Sequence, residues 1–155
     1  FFTVYGPWGR PDMALFKFTK AILNNDPIQV YNYGKMTRSF TYVEDLVTAI
    51  YLLIDEIPRA SYTTEAIDSI SPVAPFRVIN IGSSESVSLG DFIKAVENAT
   101  GLKAQQELLP MQAGDVHQTF ADTTSLERDY NYKPQITVDK GIQAFVSWYK
   151  GFYNK

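Results

Sequence analysis

FFTVYGPWGRPD, residues 1–12, predicts an apolar strand, then a tight turn, then the start of a helix. Residues 1–5 are apolar except for one threonine, which is typical of a strand buried on both faces. The glycines and proline of residues 6–9 favour a turn, and Asp12 is a residue type that caps helices. Because the sequence opens inside a strand without an initiator Met, we expect it to be the C-terminal half of a larger protein.

Composition excludes several classes of protein. A length of 155 residues suits one domain, and 45% apolar residues can form a core. The net charge of −3, from 14 basic and 17 acidic residues, argues against nucleic acid as the main partner. The absence of Cys excludes disulfides and fits the cytoplasm, and no apolar run is long enough to span a membrane. His117 is the single histidine, so we predict a plain surface role for it and no metal site.

Strand and helix patterns alternate along the chain, which predicts an α/β fold. Apolar residues at three- and four-residue spacing predict helices over 13–24, 43–57, 123–130 and 138–153, with one more between a Ser88 cap and Gly101. Extended patterns predict strands over 1–5, 28–33, 39–43, 76–82 and 103–109, of which 76–82 has the apolar content of a parallel strand covered on both faces. Residues 58–75 are predicted to form a long surface loop.

Two pairs of side chains are candidates for binding a ligand. Thr3 and Arg10 flank the first turn and can converge on one anion, since a guanidinium donates two parallel hydrogen bonds to a carboxylate or phosphate. From spacing alone, a strand threonine and a surface arginine without a ligand are favoured. Gln29 and Tyr31 offer an amide beside a flat ring, which suits a nucleobase, although a sheet face packed under a loop has the same pattern.

Two more positions suit a nucleotide. Arg38 can meet a diphosphate, and Asp115 can accept hydrogen bonds from ribose hydroxyls after a turn that Gly114 permits. From the residues alone, each of these is a weak signal.

Four strings, taken in order, resemble one family. They are FFTVYGPWGRPDMALFKF, IQVYNYGKMTRSFTYVEDLV, RVINIGSS and LPMQAGDVHQTFAD. The family is the extended short-chain dehydrogenase/reductases that epimerise or dehydrate nucleotide sugars, and within it the chain is most similar to the UDP-glucuronate 4-epimerases. The resemblance implies the C-terminal, substrate-binding part of an extended Rossmann-type epimerase, including strands that belong to the parent parallel sheet.

The resemblance also implies a reaction and some of the residues that serve it. It implies NAD-dependent C4 epimerisation of UDP-glucuronate to UDP-galacturonate through a 4-keto intermediate. Phe2 would lie against the nicotinamide end of NAD, and Thr3 and Arg10 would hold the carboxylate of the sugar. NAD would be bound mainly by an N-terminal part that carries the catalytic Tyr and Lys, so no catalytic residue is expected here.

The nucleotide contacts follow in the same way. The resemblance implies that Gln29 and Tyr31 flank the uracil, that Arg38 pairs with the diphosphate and that Asp115 binds the ribose. Gln112 takes the place of an arginine that meets phosphate in galactose-type relatives.

The chain departs from the family pattern at several points. Ser39 replaces the Asp that commonly follows the arginine of its motif, which is expected to loosen the orientation of Arg38. No glycine-rich phosphate loop is present. Tyr31 and Lys35 match Tyr-x-x-x-Lys by spacing, but a strand end and a turn are predicted there instead of the helix that the catalytic pair needs.

Alternatives within and outside this family remain open. They are a UDP-glucuronate decarboxylase, a nucleotide-sugar dehydratase and a fragment that binds a UDP-sugar without turning it over. We expect the full-length protein to be a cytoplasmic homodimer. The chain alone is expected to be inactive and, with unpaired strand edges exposed, to self-associate.

Overall fold

The computed structural model describes residues 1, 3–58 and 69–155, and the predicted α/β class is confirmed. The strands are β1 (Thr3–Tyr5), β2 (Pro27–Val30), β3 (Thr37–Tyr42), β4 (Ser86–Ser88) and β5 (Gln105–Leu108). The α-helices are α1 (Ala14–Asn24), α2 (Val43–Leu53), α3 (Leu89–Thr100), α4 (Thr124–Tyr130) and α5 (Val138–Tyr153). Of the predicted 58–75 loop, residues 59–68 lie outside the described residues.

Two small sheets organise the strands. In the first sheet β1 pairs in parallel with β3, with Thr3 opposite Phe40, and β4 pairs antiparallel with the other edge of β3. In the second sheet β2 pairs in parallel with β5, with Gln29 opposite Glu107. The candidate residues Thr3 and Arg38 therefore lie on one sheet, and Gln29 lies on the other.

The helix termini follow the residue types at each end. Ser88 caps α3, and its hydroxyl accepts a hydrogen bond from the Asp91 backbone N–H at 3.0 Å. Gly101 ends the same helix in the left-handed conformation, with φ of 78°, which glycine adopts without a steric penalty. The predicted cap and stop of this helix are confirmed.

Three helices enclose the larger core against both sheets. Phe92 of α3 and Phe145 of α5 are completely or almost completely buried, and Phe92 stacks on Phe40 of β3 with ring centroids 4.2 Å apart. The core takes its remaining buried side chains from α1, β1 and β2. A second, smaller core joins α2 to α4 through Leu46 and Leu126.

The first strand and the last helix approach each other closely at Gly141. The ring of Tyr5 lies over this glycine, so that a Cβ built at Gly141 would stand 2.7 Å from the Cε2 and Cζ atoms of Tyr5. The Tyr5 hydroxyl donates to the carbonyl oxygen of Thr137 at 3.4 Å. Burial, followed by the negative charge of Asp45, raises the pKa of Tyr5 well above its usual range, so the hydroxyl stays protonated.

The predicted strand over residues 76–82 is wrong: no strand forms there among the described residues. Ile79 and Ile81 pack on the smaller core, whereas Phe76 and Val78 are 58% exposed. The Ser69 hydroxyl hydrogen-bonds both the N–H and the carbonyl oxygen of Val78. Apolar content predicted burial on two faces, but a strand also needs backbone pairing with a neighbour, and none of the described strands pairs with this segment.

Three predicted boundaries are also wrong. Met13 holds the N-cap position of α1 without a side-chain bond, because the carboxylate of Asp12 binds Arg10 instead. Strand β2 ends at Val30, since a 3-10 turn over Tyr31–Gly34 follows, with two residues in the left-handed region at φ of 48° and 51°. Helix α2 ends at Leu53, short of the predicted residue 57.

Helix α2 leaves apolar side chains in solvent. These are Val47, Ile50, Tyr51, Leu52 and Ile54, of which Tyr51 is 74% exposed. The helix has 11 residues, and none of the described helices is both long and apolar enough to cross a bilayer. We refer to these side chains together as the exposed face of α2.

Candidate functional site

An open groove brings together most of the residues that the sequence predicts to bind substrate. It has a volume of about 710 Å³, within the range of ~300–1,000 Å³ that is typical of small-molecule sites. Its walls come from both sheets, from α1 and from the segment after β5. Six of the seven predicted substrate residues line it: Thr3, Gln29, Tyr31, Arg38, Gln112 and Asp115.

Arg10, the seventh, does not line the groove. It lies in a smaller hollow next to it, and Thr3 and Met13 line both cavities. The exposed Arg10 guanidinium donates two hydrogen bonds to Asp12, from Nε to Oδ1 at 3.0 Å and from Nη2 to Oδ2 at 2.6 Å. This pairing lowers the pKa of Asp12 and raises the pKa of Arg10. The guanidinium fork therefore binds a carboxylate of the protein itself.

Gln29 and Tyr31 are hydrogen-bonded to each other on one wall of the groove. The Tyr31 hydroxyl donates to Oε1 of Gln29 at 3.0 Å. Gln29 is the third residue of β2, and Tyr31 opens the following 3-10 turn, so the two do not share one continuous strand as predicted. The hydrogen bond between Tyr33 N–H and the carbonyl of Leu109 attaches this turn to the segment that carries Gln112.

Arg38 and Asp115 form an ion pair across the groove. Nη2 of Arg38 donates to Oδ1 of Asp115 at 2.7 Å, and the two side chains are 19% and 30% exposed. Nη1 of Arg38 donates to the carbonyl of Thr37 at 2.9 Å. Asp115 follows a turn at Gly114, whose φ is 82°, and Oδ1 of Asp115 also accepts the Val116 N–H at 2.8 Å. Two residues for which the sequence predicts separate contacts are therefore in direct contact.

Ser39 does not affect Arg38 in the way that the sequence predicts. Its side chain is fully buried, and its hydroxyl donates to the carbonyl of Ser83 at 2.6 Å. Successive side chains of a strand point to opposite faces, so Ser39 faces away from the guanidinium. The guanidinium of Arg38 donates to the Thr37 carbonyl and to Asp115 instead.

Lys17 and Glu107, which the sequence did not predict as site residues, also line the groove. Lys17 is exposed on α1, where Met13, Lys17 and Ala21 follow one another at intervals of four and all line the groove. Such a spacing places side chains on one helix face, and this pattern could have indicated Lys17 as a groove residue. Glu107 follows from its register opposite Gln29, which the sequence does not reveal.

The remaining predicted positions, His117 and Phe2, do not line the groove or lie outside the described residues. His117 is exposed, as predicted, and its Nδ1 lies 3.5 Å from Nδ2 of Asn32. The described residues contain no cluster of three or more His, Cys, Asp or Glu side chains that could hold a metal ion. Phe2, the residue predicted to contact NAD, lies outside the described residues.

The glycines of the turn after β1 are closely packed on the side where a side chain would stand. A Cβ at Gly6 would lie 2.7 Å from Cγ1 of Val43, and one at Gly9 would lie 3.0 Å from the Gly6 carbonyl oxygen. The space beside both glycines is therefore occupied by protein. These glycines therefore allow close packing of the turn, and on their other side they line the hollow that also contains Arg10.

Three proteins illustrate what the chain is similar to. It is 48% identical over 158 residues to the probable UDP-glucuronate 4-epimerase of Rhizobium meliloti (strain 1021), covering 100% of this chain and 46% of that protein. It is also 48% identical over 157 residues to Protein CapI of Staphylococcus aureus, covering 100% of this chain and 47% of that protein. The crystal structure of UDP-glucuronic acid 4-epimerase from Bacillus cereus, in complex with UDP-glucuronic acid and NAD, matches with a TM-score of 0.80 and 30% identity, over 97% of this chain and 44% of that one.

These likenesses cover at least 97% of this chain but only part of each relative. The chain spans less than half the length of each of the three proteins. The structural match confirms the predicted relation to Rossmann-type epimerases. Residues 1–82, more than half of the chain, match the family model for the NAD dependent epimerase/dehydratase family. The chain is therefore a member of the NAD dependent epimerase/dehydratase family.

Proposed function

We propose that this chain is the nucleotide-sugar-binding part of a UDP-glucuronate 4-epimerase. The full-length protein would convert UDP-glucuronate to UDP-galacturonate through a 4-keto intermediate. The observation that carries the proposal is the groove, where six candidate residues from separate parts of the chain meet. The named relatives from Rhizobium meliloti and Bacillus cereus support the choice of substrate.

The nucleotide would lie along the wall that the second sheet and the segment after β5 provide. Gln29 offers amide hydrogen bonds and Tyr31 a flat ring, which together suit uracil. Asp115 suits a ribose hydroxyl, since an ionised carboxylate only accepts hydrogen bonds. Arg38 and Lys17 are the cations of the groove, and a diphosphate needs such positive charge.

The acidic sugar would reach the end of the groove at Thr3, where the hollow of Arg10 begins. In the structure Arg10 binds the Asp12 carboxylate through two hydrogen bonds, which is the geometry that a sugar carboxylate needs. We propose that the substrate carboxylate replaces Asp12 at this guanidinium. Holding both ends of the substrate would fix the sugar while the reaction proceeds, and positioning of this kind lowers a barrier by several kcal/mol.

NAD supplies the hydride chemistry of this family when it is bound. The 155 residues contain no glycine-rich phosphate loop, so we propose that another part of the full-length protein holds most of NAD. The residues of this chain bind and orient the nucleotide sugar. No catalytic acid or base is assigned among them.

The test uses the full-length protein with UDP-glucuronate. We expect UDP-galacturonate to form, detected by chromatography and NMR. Release of carbon dioxide would favour a decarboxylase, and binding without turnover would favour a protein that only holds UDP-sugars. Either result would overturn the epimerase assignment.

A variant pair tests the acidic end of the site. Arg10→Met should raise the KM for UDP-glucuronate at least about tenfold and leave the affinity for UDP unchanged, because UDP lacks the sugar carboxylate. Arg128→Met is the control, since Arg128 is a half-exposed arginine that does not line the groove. Equal losses for UDP and UDP-glucuronate in Arg10→Met would contradict the role of Arg10.

A further inference from the structure

We infer that Asp115 is the positioning residue of Arg38, and that one carboxylate both orients this guanidinium and receives the nucleotide. The inference deepens the proposed function and rests on it. The two oxygens of the Asp115 carboxylate have different roles in this inference. Oδ1 holds Arg38, and Oδ2 is the acceptor for a ligand hydroxyl.

The hydrogen bonds of Asp115 support this division. Oδ1 accepts from Nη2 of Arg38 at 2.7 Å and from the Val116 N–H at 2.8 Å. Within residues 1, 3–58 and 69–155, Oδ2 makes no hydrogen bond, although the residue lines the groove. The carboxylate is thus fixed by one oxygen and keeps the other available.

The surroundings of Arg38 explain why it needs such a partner. The neighbouring side chain on its strand, Ser39, is buried on the opposite face and bonds Ser83. The other strong contact of the guanidinium is the Thr37 carbonyl at 2.9 Å, and Sδ of Met36 lies farther away at 3.7 Å. Of the carboxylates in the described residues, Asp115 is the one that forms an ion pair with Arg38.

The pair is sheltered enough for the contact to determine the orientation of the side chain. Arg38 is 19% exposed and Asp115 is 30% exposed, so water screens the pair less than it screens a surface ion pair. A free arginine side chain populates many rotamers, and a charge-assisted hydrogen bond at 2.7 Å selects among them. Arg38 then presents its remaining N–H groups to the groove without first losing that freedom on binding.

The test is a double-mutant cycle in the full-length protein, with Asp115→Asn, Arg38→Gln and the double variant. Calorimetry measures the affinities for uridine and for UDP. Asparagine keeps an oxygen that accepts from ribose but loses the charge that holds Arg38. We expect Asp115→Asn to weaken UDP binding about tenfold or more, and uridine binding by less than about threefold. The reason is that only UDP has a diphosphate, so only UDP loses the charged hydrogen bonds from Arg38.

The cycle separates positioning from direct contact. In the Arg38→Gln background, Asp115→Asn should change UDP affinity by less than about twofold, because the residue that it positions is gone. Asp26→Asn, an exposed aspartate outside the groove, is the control and should leave both affinities unchanged. Arg38→Lys is the second route if Asp115→Asn does not fold, and it should also weaken UDP selectively, because lysine keeps the charge without the planar fork.

Three results would overturn the inference, and they separate its failure from the failure of the proposed function. Equal losses of uridine and UDP in Asp115→Asn, or additive losses in the cycle, would show that Asp115 acts on the ligand alone, with the proposed function intact. If the unaltered full-length protein bound neither uridine nor UDP, the groove would not be a nucleotide site, and both proposals would be rejected.

Discussion

Replacing Gly141 with alanine tests the packing that holds β1, and with it Thr3, in place. Alanine in a helix interior is normally favoured over glycine by about 0.5–1 kcal/mol, so helix propensity alone predicts stabilisation. Here the new methyl group would meet the Tyr5 ring, 2.7 Å from two of its carbons and still closer to its hydroxyl oxygen. Tyr5 is 5% exposed and cannot swing into solvent. Overpacking of this kind costs roughly 1–3 kcal/mol, so we expect a net destabilisation of about 1–2 kcal/mol.

The assay is urea unfolding followed by circular dichroism, with thermal melts as a second measurement. Gly151→Ala is the matched control, because Gly151 lies in the same helix with no atom within 4 Å of the added Cβ. The control should gain up to about 1 kcal/mol. In a Gly141→Ala background, Tyr5→Phe should restore part of the loss by removing the closest atom. A Gly141→Ala protein as stable as the unaltered protein would refute the claim that β1 and α5 are in close contact here.

Three further predictions concern stability and association. Hydrogen bonds from Arg128, and then from Arg77, hold the pKa of Asp129 well below its usual range. The stabilisation that ionised Asp129 gives the folded state is therefore complete above the unfolded-state pKa of about 3.9 and is lost as pH falls through the lower folded-state value. Asp129→Asn should therefore make the melting temperature fall less steeply in acid. An equally steep fall in the variant would contradict this. Ser88→Ala removes the cap of α3 and should cost about 1 kcal/mol in urea unfolding, whereas a cost near zero would show that the cap contributes nothing. The 155-residue chain should self-associate through the exposed face of α2, which sedimentation experiments would detect. Tyr51→Lys should weaken this association. A chain that stays monomeric at all concentrations would contradict the prediction.

The features that the sequence predicted well are those set by local chemistry. The apolar stripe of α5 and the Ser88 and Gly101 ends of α3 depend on residues within a few positions, and all were found where expected. The errors arose where distant partners decide the structure. Apolar content over 76–82 predicted a strand that has no partner among the described strands, and the alternating pattern after β2 gave no sign that Asn32 would turn left-handed.

The candidate site shows the same division. Motif resemblance identified six residues that line one groove, but it did not predict how they bind one another. Arg38 and Asp115 are 77 positions apart, and only the fold brings them into contact. Arg10 is bound by Asp12, two residues away, whereas the spacing favoured a surface arginine and gave no sign of this ion pair. The hydrogen-bond partners of charged side chains depend on tertiary geometry, which sequence spacing does not determine.

The groove has walls on both sheets, and this has a consequence for the motions of the chain. A bound nucleotide would touch β3 through Arg38 and β2 through Gln29, so its binding energy would also resist separation of the two sheets. All four residues of β5 are exposed, whereas Ile28 and Val30 of β2 are buried, so β5 is the strand of the β2–β5 ribbon that opens more readily. Amide hydrogens of that ribbon should then exchange more slowly when nucleotide is present, even at positions that the ligand never contacts.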